Sequence, residues 1–158
     1  MLDKQGFRLN VGLVIANDQD KIFWGRRNHS SNAWQFPQGG IQSGETEQEA
    51  MYRELKEEVG LEAKDVMLLD QTHEWLYYRL PLQYQKTSQK PYCIGQKQKW
   101  FLLRLISEET CIDLNQEKIP EFDRWCWVNY WHPLTEVIDF KKEVYQKVLE
   151  QFKTWLSQ

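Results

Sequence analysis

The chain has 158 residues, with 20 Lys and Arg against 23 Asp and Glu, a net charge of −3 and a hydrophobic fraction of 41%. That is room for one domain with a packed core and not for two, and no apolar run is long enough to span a bilayer as a helix. The first ten residues, MLDKQGFRLN, carry no hydrophobic leader pattern, and Cys93, Cys111 and Cys126 have neither zinc-ligand nor disulfide-framework spacing, which points to a reducing, cytoplasmic setting.

In chain order, residues 8–16 (RLNVGLVIA) form a buried strand. Residues 21–26 (KIFWGR) are its hairpin partner, with Asn17, Asp18 and Asp20 in the turn. Trp34, Gln35 and Phe36 are a short extended piece leading to a glycine loop. There Gly39 and Gly40 follow Pro37-Gln38, a combination that lets the backbone bend sharply. A helix is expected over residues 45–59. Glu45, Glu47 and Glu49 crowd its first turns, where the helix dipole favours negative charge, and Gly60 closes it as a C′ residue would.

Two stripes run along that helix. Met51, Tyr52, Leu55 and Val59 make an apolar one, suited to packing on a sheet. Glu54, Glu57 and Glu58, at i, i+3 and i+4, make an acidic one roughly a quarter-turn away. Like charges at that spacing weaken a bare helix by a few tenths of a kcal/mol, roughly, and a divalent cation reverses the sign of the interaction. Hard oxygen ligands suit magnesium or manganese, and magnesium commonly takes substrate phosphates as further ligands. The spacing therefore points to a metal site for phosphate chemistry.

Beyond the helix, residues 65–78 alternate enough for one or two strands, and residues 80–95 form a polar loop containing Pro81 and Pro91. Residues 97–106 (KQKWFLLRLI) are a strong strand, residues 121–128 a loop leading into another, and residues 140–156 an amphipathic helix. Strands with one helix in the middle and one at the end imply a single α+β layered domain over residues 1–158. Charge is unevenly spread. Residues 45–65 hold eight acidic and three basic side chains, whereas residues 79–104 hold six basic ones, Lys86, Lys90, Lys97 and Lys99 among them, and no acidic one. An acidic centre beside a basic segment suits a polyanionic substrate. Eight tryptophans are many for this length; some belong to the core, and a surplus of Trp and Tyr is also what a protein that stacks bases carries. His29, His73 and His132 form no ligand cluster.

The segment over residues 39–61 resembles the Nudix box, G-x5-E-x7-R-E-U-x-E-E-x-G-U with U apolar. Gly39, Glu45, Arg53, Glu54, Leu55, Glu57, Glu58, Gly60 and Leu61 fill its constrained positions. The resemblance implies a Nudix fold, a mixed β-sheet in an α/β/α sandwich. It also implies metal binding by Glu54, Glu57 and Glu58, and a loop–helix structure steadied by Glu45 pairing with Arg53. Further segments, WQFPQGGI (34–41), GQKQKWF (95–101), PEFD (120–123) and FKKEVY (140–145), resemble a bacterial subgroup within that family. Its members remove pyrophosphate from 5′-triphosphate RNA or hydrolyse dinucleoside polyphosphates.

The resemblance implies Glu121 as a fourth metal ligand, and Glu58, Glu121 and Glu54 as the catalytic acids, with Glu58 or Glu121 as general base. Arg8, Arg27, Lys97 and Lys141 are candidates for phosphate oxygens, and Tyr78 and Phe140 for a stacked base. Gln96 is the candidate for positioning a phosphate or base edge. The implied cofactor is Mg²⁺ or Mn²⁺. The implied partner is RNA bearing a 5′-triphosphate or diphosphate, with no membrane and no DNA and an activating protein left open. Asymmetric dinucleoside tetraphosphate hydrolysis is the nearest alternative. A non-catalytic nucleotide-sensing or RNA-binding module is the more distant one.

Overall fold

The computed structural model describes residues 1–29, 32–85 and 92–158. Lys86 and Lys90, which the sequence puts in a polar loop, lie outside the described residues. Among the described residues, one mixed sheet is built from β1 (Phe7–Ala16), β2 (Ile22–Arg27), β3 (Trp34–Gln35), β4 (Gln38–Gly40), β5 (Val66–Gln71), β6 (Leu76–Arg79), β7 (Gly95–Leu105) and β8 (Phe122–Val128). The central order is β3-β2-β1-β7-β5, with β4 also on β1, β6 also on β7 and β8 on β2. Only β1 and β7 run parallel among these pairs, in register from Phe7 opposite Gly95 to Ala16 opposite Arg104.

Both central strands change partners along their length. β1 pairs with β2 at Ala16 and Ile22, but with β4 from Asn10 to Gly12. β7 pairs with β5 over its C-terminal half and with β6 over its N-terminal half. The neighbours of the two strands therefore differ at their N-terminal ends, and a cavity is found there.

Alternation along β1 divides the core between the sheet's two faces. Val11, Leu13 and Ile15 pack with Phe101 and Leu103 of β7 against α1 (Glu47–Glu54). Val14 and Ala16 pack with Trp100 and Leu102 against α3 (Asp139–Phe152), which follows the short α2 (Pro133–Glu136). The layered α+β arrangement expected from the sequence is thus present. Met51, Leu55 and Val59, wholly buried, contribute roughly 1.5–3 kcal/mol each. No helix of the described residues is long and apolar enough to cross a membrane.

Three local expectations need correction. The middle helix starts at Glu47 rather than Glu45, because Thr46 caps it: its side chain accepts from the Glu49 amide while the Glu49 carboxylate accepts from the Thr46 amide. Its last turn, Leu55–Val59, is a π-turn, a form often found at functional sites. Gly39 and Gly40 do not make a sharp turn; they lie in β4, and neither has a positive φ. Gly60 does close the helix in the left-handed region, at φ 79°.

Candidate active site

The π-turn and the capping box fix where the glutamates point. Glu54 and Glu58 are both buried, at 7% exposure, whereas Glu57 is half-buried. Glu54 comes up against β4 at Gly39, and a Cβ at Gly39 would lie 1.9 Å from the Glu54 carboxyl carbon. The glycine is therefore needed for close approach of a carboxylate to backbone.

Arg53 organises the acids around it. Its Nε and Nη2 donate to the two oxygens of Glu45 at 2.7 and 2.9 Å, the bidentate geometry that suits a guanidinium. Nη2 also donates to the Gly40 carbonyl at 2.7 Å, and Nη1 to Glu54 at 2.7 Å and Glu57 at 3.3 Å. One side chain thus ties the segment before the helix, β4 and two box glutamates together. The Glu45–Arg53 pair implied by the resemblance is present.

Glu54 and Glu58 lie against each other, and each shifts the other's proton affinity. Burial first, then the charges of Glu54 and Glu121, push Glu58 well above the usual carboxylate range, and a Gln38 amide opposes them. Burial also pushes Glu54 up. Glu58 Oε2 is buried and has no hydrogen-bond partner among the described residues. Two adjacent buried acids with an unsatisfied oxygen are costly without a counter-charge. An all-carboxylate donor set with that deficit fits a hard divalent cation. Among the described residues no three acids form a ready-made cage: Glu57 is held by Arg53, and Glu121 lies 3.5 Å from Arg27 Nε.

On the α3 face of the sheet lies a cavity of about 850 Å³. Arg8, Arg27, Tyr78, Gln96, Glu121, Phe140 and Lys141 all line it, as do Gln38, Gly39 and Gly40 of β4. Glu54, Glu57 and Glu58 are not part of its wall. The charge of Glu58 nonetheless reaches both Glu121 and Lys141, so the buried acids sit close to it. Lys141 is buried, and its Nζ donates to Gln35 at 2.9 Å; burial and then the Arg27 charge push it down to about 8. Burial raises the Tyr78 hydroxyl to about 12. Gln96 keeps a buried Oε1 with no partner among the described residues.

Lys97 is the expected cavity residue that the structure puts elsewhere. Gln96 faces the cavity, so its neighbour in the strand points to the other side. There Lys97 pairs with Asp3 at 3.1 Å and lies 4.9 Å from the Trp75 ring centre, with Lys99 at 5.1 Å from the same ring. Sequence reasoning missed Gln35, Gln38 and Tyr84 in the cavity wall. Gln35 meets Lys141 across 106 positions of chain, and nothing local signals that contact.

Comparison with known proteins gives a consistent result. Residues 6–152 match the family model described as the NUDIX domain. The RNA pyrophosphohydrolase of Shewanella pealeana is 54% identical over 152 residues, covering 96% of this chain and 87% of that protein. The protein of the same name from Proteus mirabilis is 52% identical, covering 96% and 86%. Among solved structures, the E. coli dihydroneopterin triphosphate pyrophosphohydrolase is similar with a TM-score of 0.70 at 19% identity, covering 92% of this chain and 98% of that one. A C. elegans Ap4A hydrolase is similar with a TM-score of 0.66 at 20% identity, covering 92% and 96%. At those identities the structures speak to fold alone. On the extent of the domain match and of the sequence identity, the chain belongs to the Nudix hydrolase family and has the Nudix fold.

Proposed function

We propose that the chain is an RNA 5′-pyrophosphohydrolase: it removes pyrophosphate from 5′-triphosphorylated RNA, leaves a 5′-monophosphate and so promotes mRNA decay. The observation that carries this reading is a single cavity wall combining cations (Arg8, Arg27, Lys141) with aromatic rings (Tyr78, Phe140) beside a buried acid pair. Phosphates and bases are the two halves of an RNA end, and the wall has a surface for each. The name carried by relatives at 52–54% identity supports the same substrate. We read residues 1–158 as one domain working in the cytoplasm, with neither membrane nor DNA as partner.

Glu54, Glu57, Glu58 and Glu121 are the residues that would hold Mg²⁺ or Mn²⁺. When bound, such ions offset phosphate charge and acidify a water molecule. Arg8, Arg27 and Lys141 hold the phosphate oxygens, so that the phosphoanhydride lies in line with the incoming water. Glu58 or Glu121 accepts the proton as the water oxygen bonds to phosphorus. The bond to the leaving phosphate oxygen breaks, and pyrophosphate departs with that electron pair. Phe140 and Tyr78 carry a base, which favours unpaired 5′ ends over duplex. Gln96 offers an acceptor to a base edge or ribose hydroxyl.

The alternative of asymmetric dinucleoside tetraphosphate hydrolysis uses the same acids and the same cavity. A non-catalytic module is disfavoured by the presence of all four glutamates. Turnover of a 5′-triphosphate oligonucleotide against diadenosine tetraphosphate, at equal enzyme and Mg²⁺, tests the reading. The oligonucleotide is expected to be the better substrate by kcat/KM, and the reverse order would replace this reading with the alternative.

A further inference from the structure

We propose that Tyr84 is the outer tile of a stacking strip, and that it carries the base of the nucleotide following the one held at Phe140. The site would then grip several nucleotides of single-stranded RNA and not its terminal phosphates alone. This rests on the RNA-end reading above.

Three rings stand in a row along one side of the cavity. Tyr78 and Phe140 are 5.6 Å apart between ring centres, tilted by 39°, and Phe140 and Tyr84 are 5.9 Å apart, tilted by 47°. Exposure rises outward along the row, from 6% at Tyr78 through half-buried Phe140 to 49% at Tyr84. A base inserted between two rings needs roughly twice the 3.5–4.0 Å contact distance, more than either gap offers. The rings therefore act as adjacent tiles, each with a face or edge for one base, rather than as slots.

Tyr84 is held for that task. It ends the short 3₁₀ turn Leu82–Tyr84, in which its amide donates to the Pro81 carbonyl at 2.8 Å. The Gln85 side chain donates to the Leu80 carbonyl at 2.8 Å and braces the same turn. The turn fixes the position of the Tyr84 backbone, and the contact with Phe140 places its ring at the outer end of the row. The occupant is set by the surroundings: Arg8, Arg27 and Lys141 line the same cavity, so the strip continues a cationic site. A flexible polyanion with flat bases matches both features, and stacking tolerates any base.

The test measures KM for 5′-triphosphate oligoribonucleotides of two and of four unpaired nucleotides at fixed salt, the shorter ending at the base that Phe140 carries. In the unaltered chain the longer substrate is expected to have a KM lower by roughly five- to tenfold, the scale of one stacked base. Tyr84→Ala is expected to shrink that length advantage below about twofold, and Tyr84→Phe to restore it. A Tyr84→Ala variant that keeps the full length advantage overturns the proposal. So does one that raises KM for both lengths by the same factor, the signature of a ring that merely props Phe140. If the unaltered chain hydrolyses neither oligonucleotide but does hydrolyse diadenosine tetraphosphate, the RNA-end reading itself falls and takes this proposal with it.

Discussion

Gly39 leaves room for the carboxylate of Glu54: a methyl group on Gly39 would sit 1.9 Å from the Glu54 carboxyl carbon and 2.1 Å from one of its oxygens. The glycine's backbone conformation is ordinary, so its value lies in the missing side chain. Gly39→Ala must push Glu54 aside or move β4. Displacements of about 1 Å in a catalytic constellation cost on the order of a hundredfold in rate. A loss of that size in kcat, with an unchanged circular-dichroism spectrum, is the expected result.

Arg53 makes five contacts that no lysine reproduces, since an ammonium cannot fork across the Glu45 carboxylate while reaching Gly40, Glu54 and Glu57. Arg53→Lys is expected to lower stability by about 2 kcal/mol, the partial exposure of the pair reducing the cost below that of a fully buried ion pair. Urea unfolding at pH 7 measures it, and an unchanged midpoint would show that the network is dispensable.

Asp65 links the helix exit to the end of β7. Hydrogen bonds from the Glu62 amide at 2.8 Å and then the Ser107 hydroxyl at 2.7 Å hold its carboxyl below the ordinary value of 3.8. A depressed folded-state pKa means stability that is present above the unfolded value and lost as pH falls through the folded one. Asp65→Asn is expected to be less stable than the unaltered chain by about 1–2 kcal/mol at pH 7. That gap should close as pH falls below 3.8, as followed by urea unfolding across a pH series. A gap independent of pH would remove the charge from the explanation.

Arg27 holds Glu121 at 3.5 Å on the wall of the cavity. Arg27→Ala is expected to weaken binding of triphosphate RNA and to lower the salt slope of log K by about one unit, as loss of one phosphate contact does. An unaltered slope would take Arg27 out of the phosphate contacts.

Some of this was legible in the sequence, and the reasons are local. Helical spacing put Glu54 beside Glu58, and the spacing of Glu45 from Arg53 in the box motif implied their pairing. The capping box is written in Thr46 and Glu49 as well, although the run of glutamates suggests a helix start two residues too early, at Glu45. Gly39 and Gly40 suggest a turn in the sequence because glycine's commonest local signal is flexibility. Close approach to a carboxylate fifteen positions away leaves no such signal. Lys97 shows a different limit. In the parallel register Arg8 lies beside Gln96, so the two share a face and Lys97 takes the other. Parity along β7 becomes readable only when its register with β1 is known. The row Tyr78, Phe140 and Tyr84 likewise exists only because α3 packs beside β6.

The measurement that bears most directly on the acid pair is made on Glu58→Gln, with two readouts taken together. Pyrophosphate release from a 5′-triphosphate oligonucleotide in Mn²⁺ should fall by roughly 10²–10⁴-fold, as for loss of a group that moves a proton in the transition state. In chelator, the variant should melt at or above the unaltered chain, because a neutral amide replaces a buried acid facing Glu54 and Glu121. Mn²⁺ should then raise the melting temperature of the unaltered chain and not that of the variant. Turnover by the variant at the unaltered rate, or an unaltered chain whose melting is indifferent to Mn²⁺, would contradict a cation-binding role for these carboxylates.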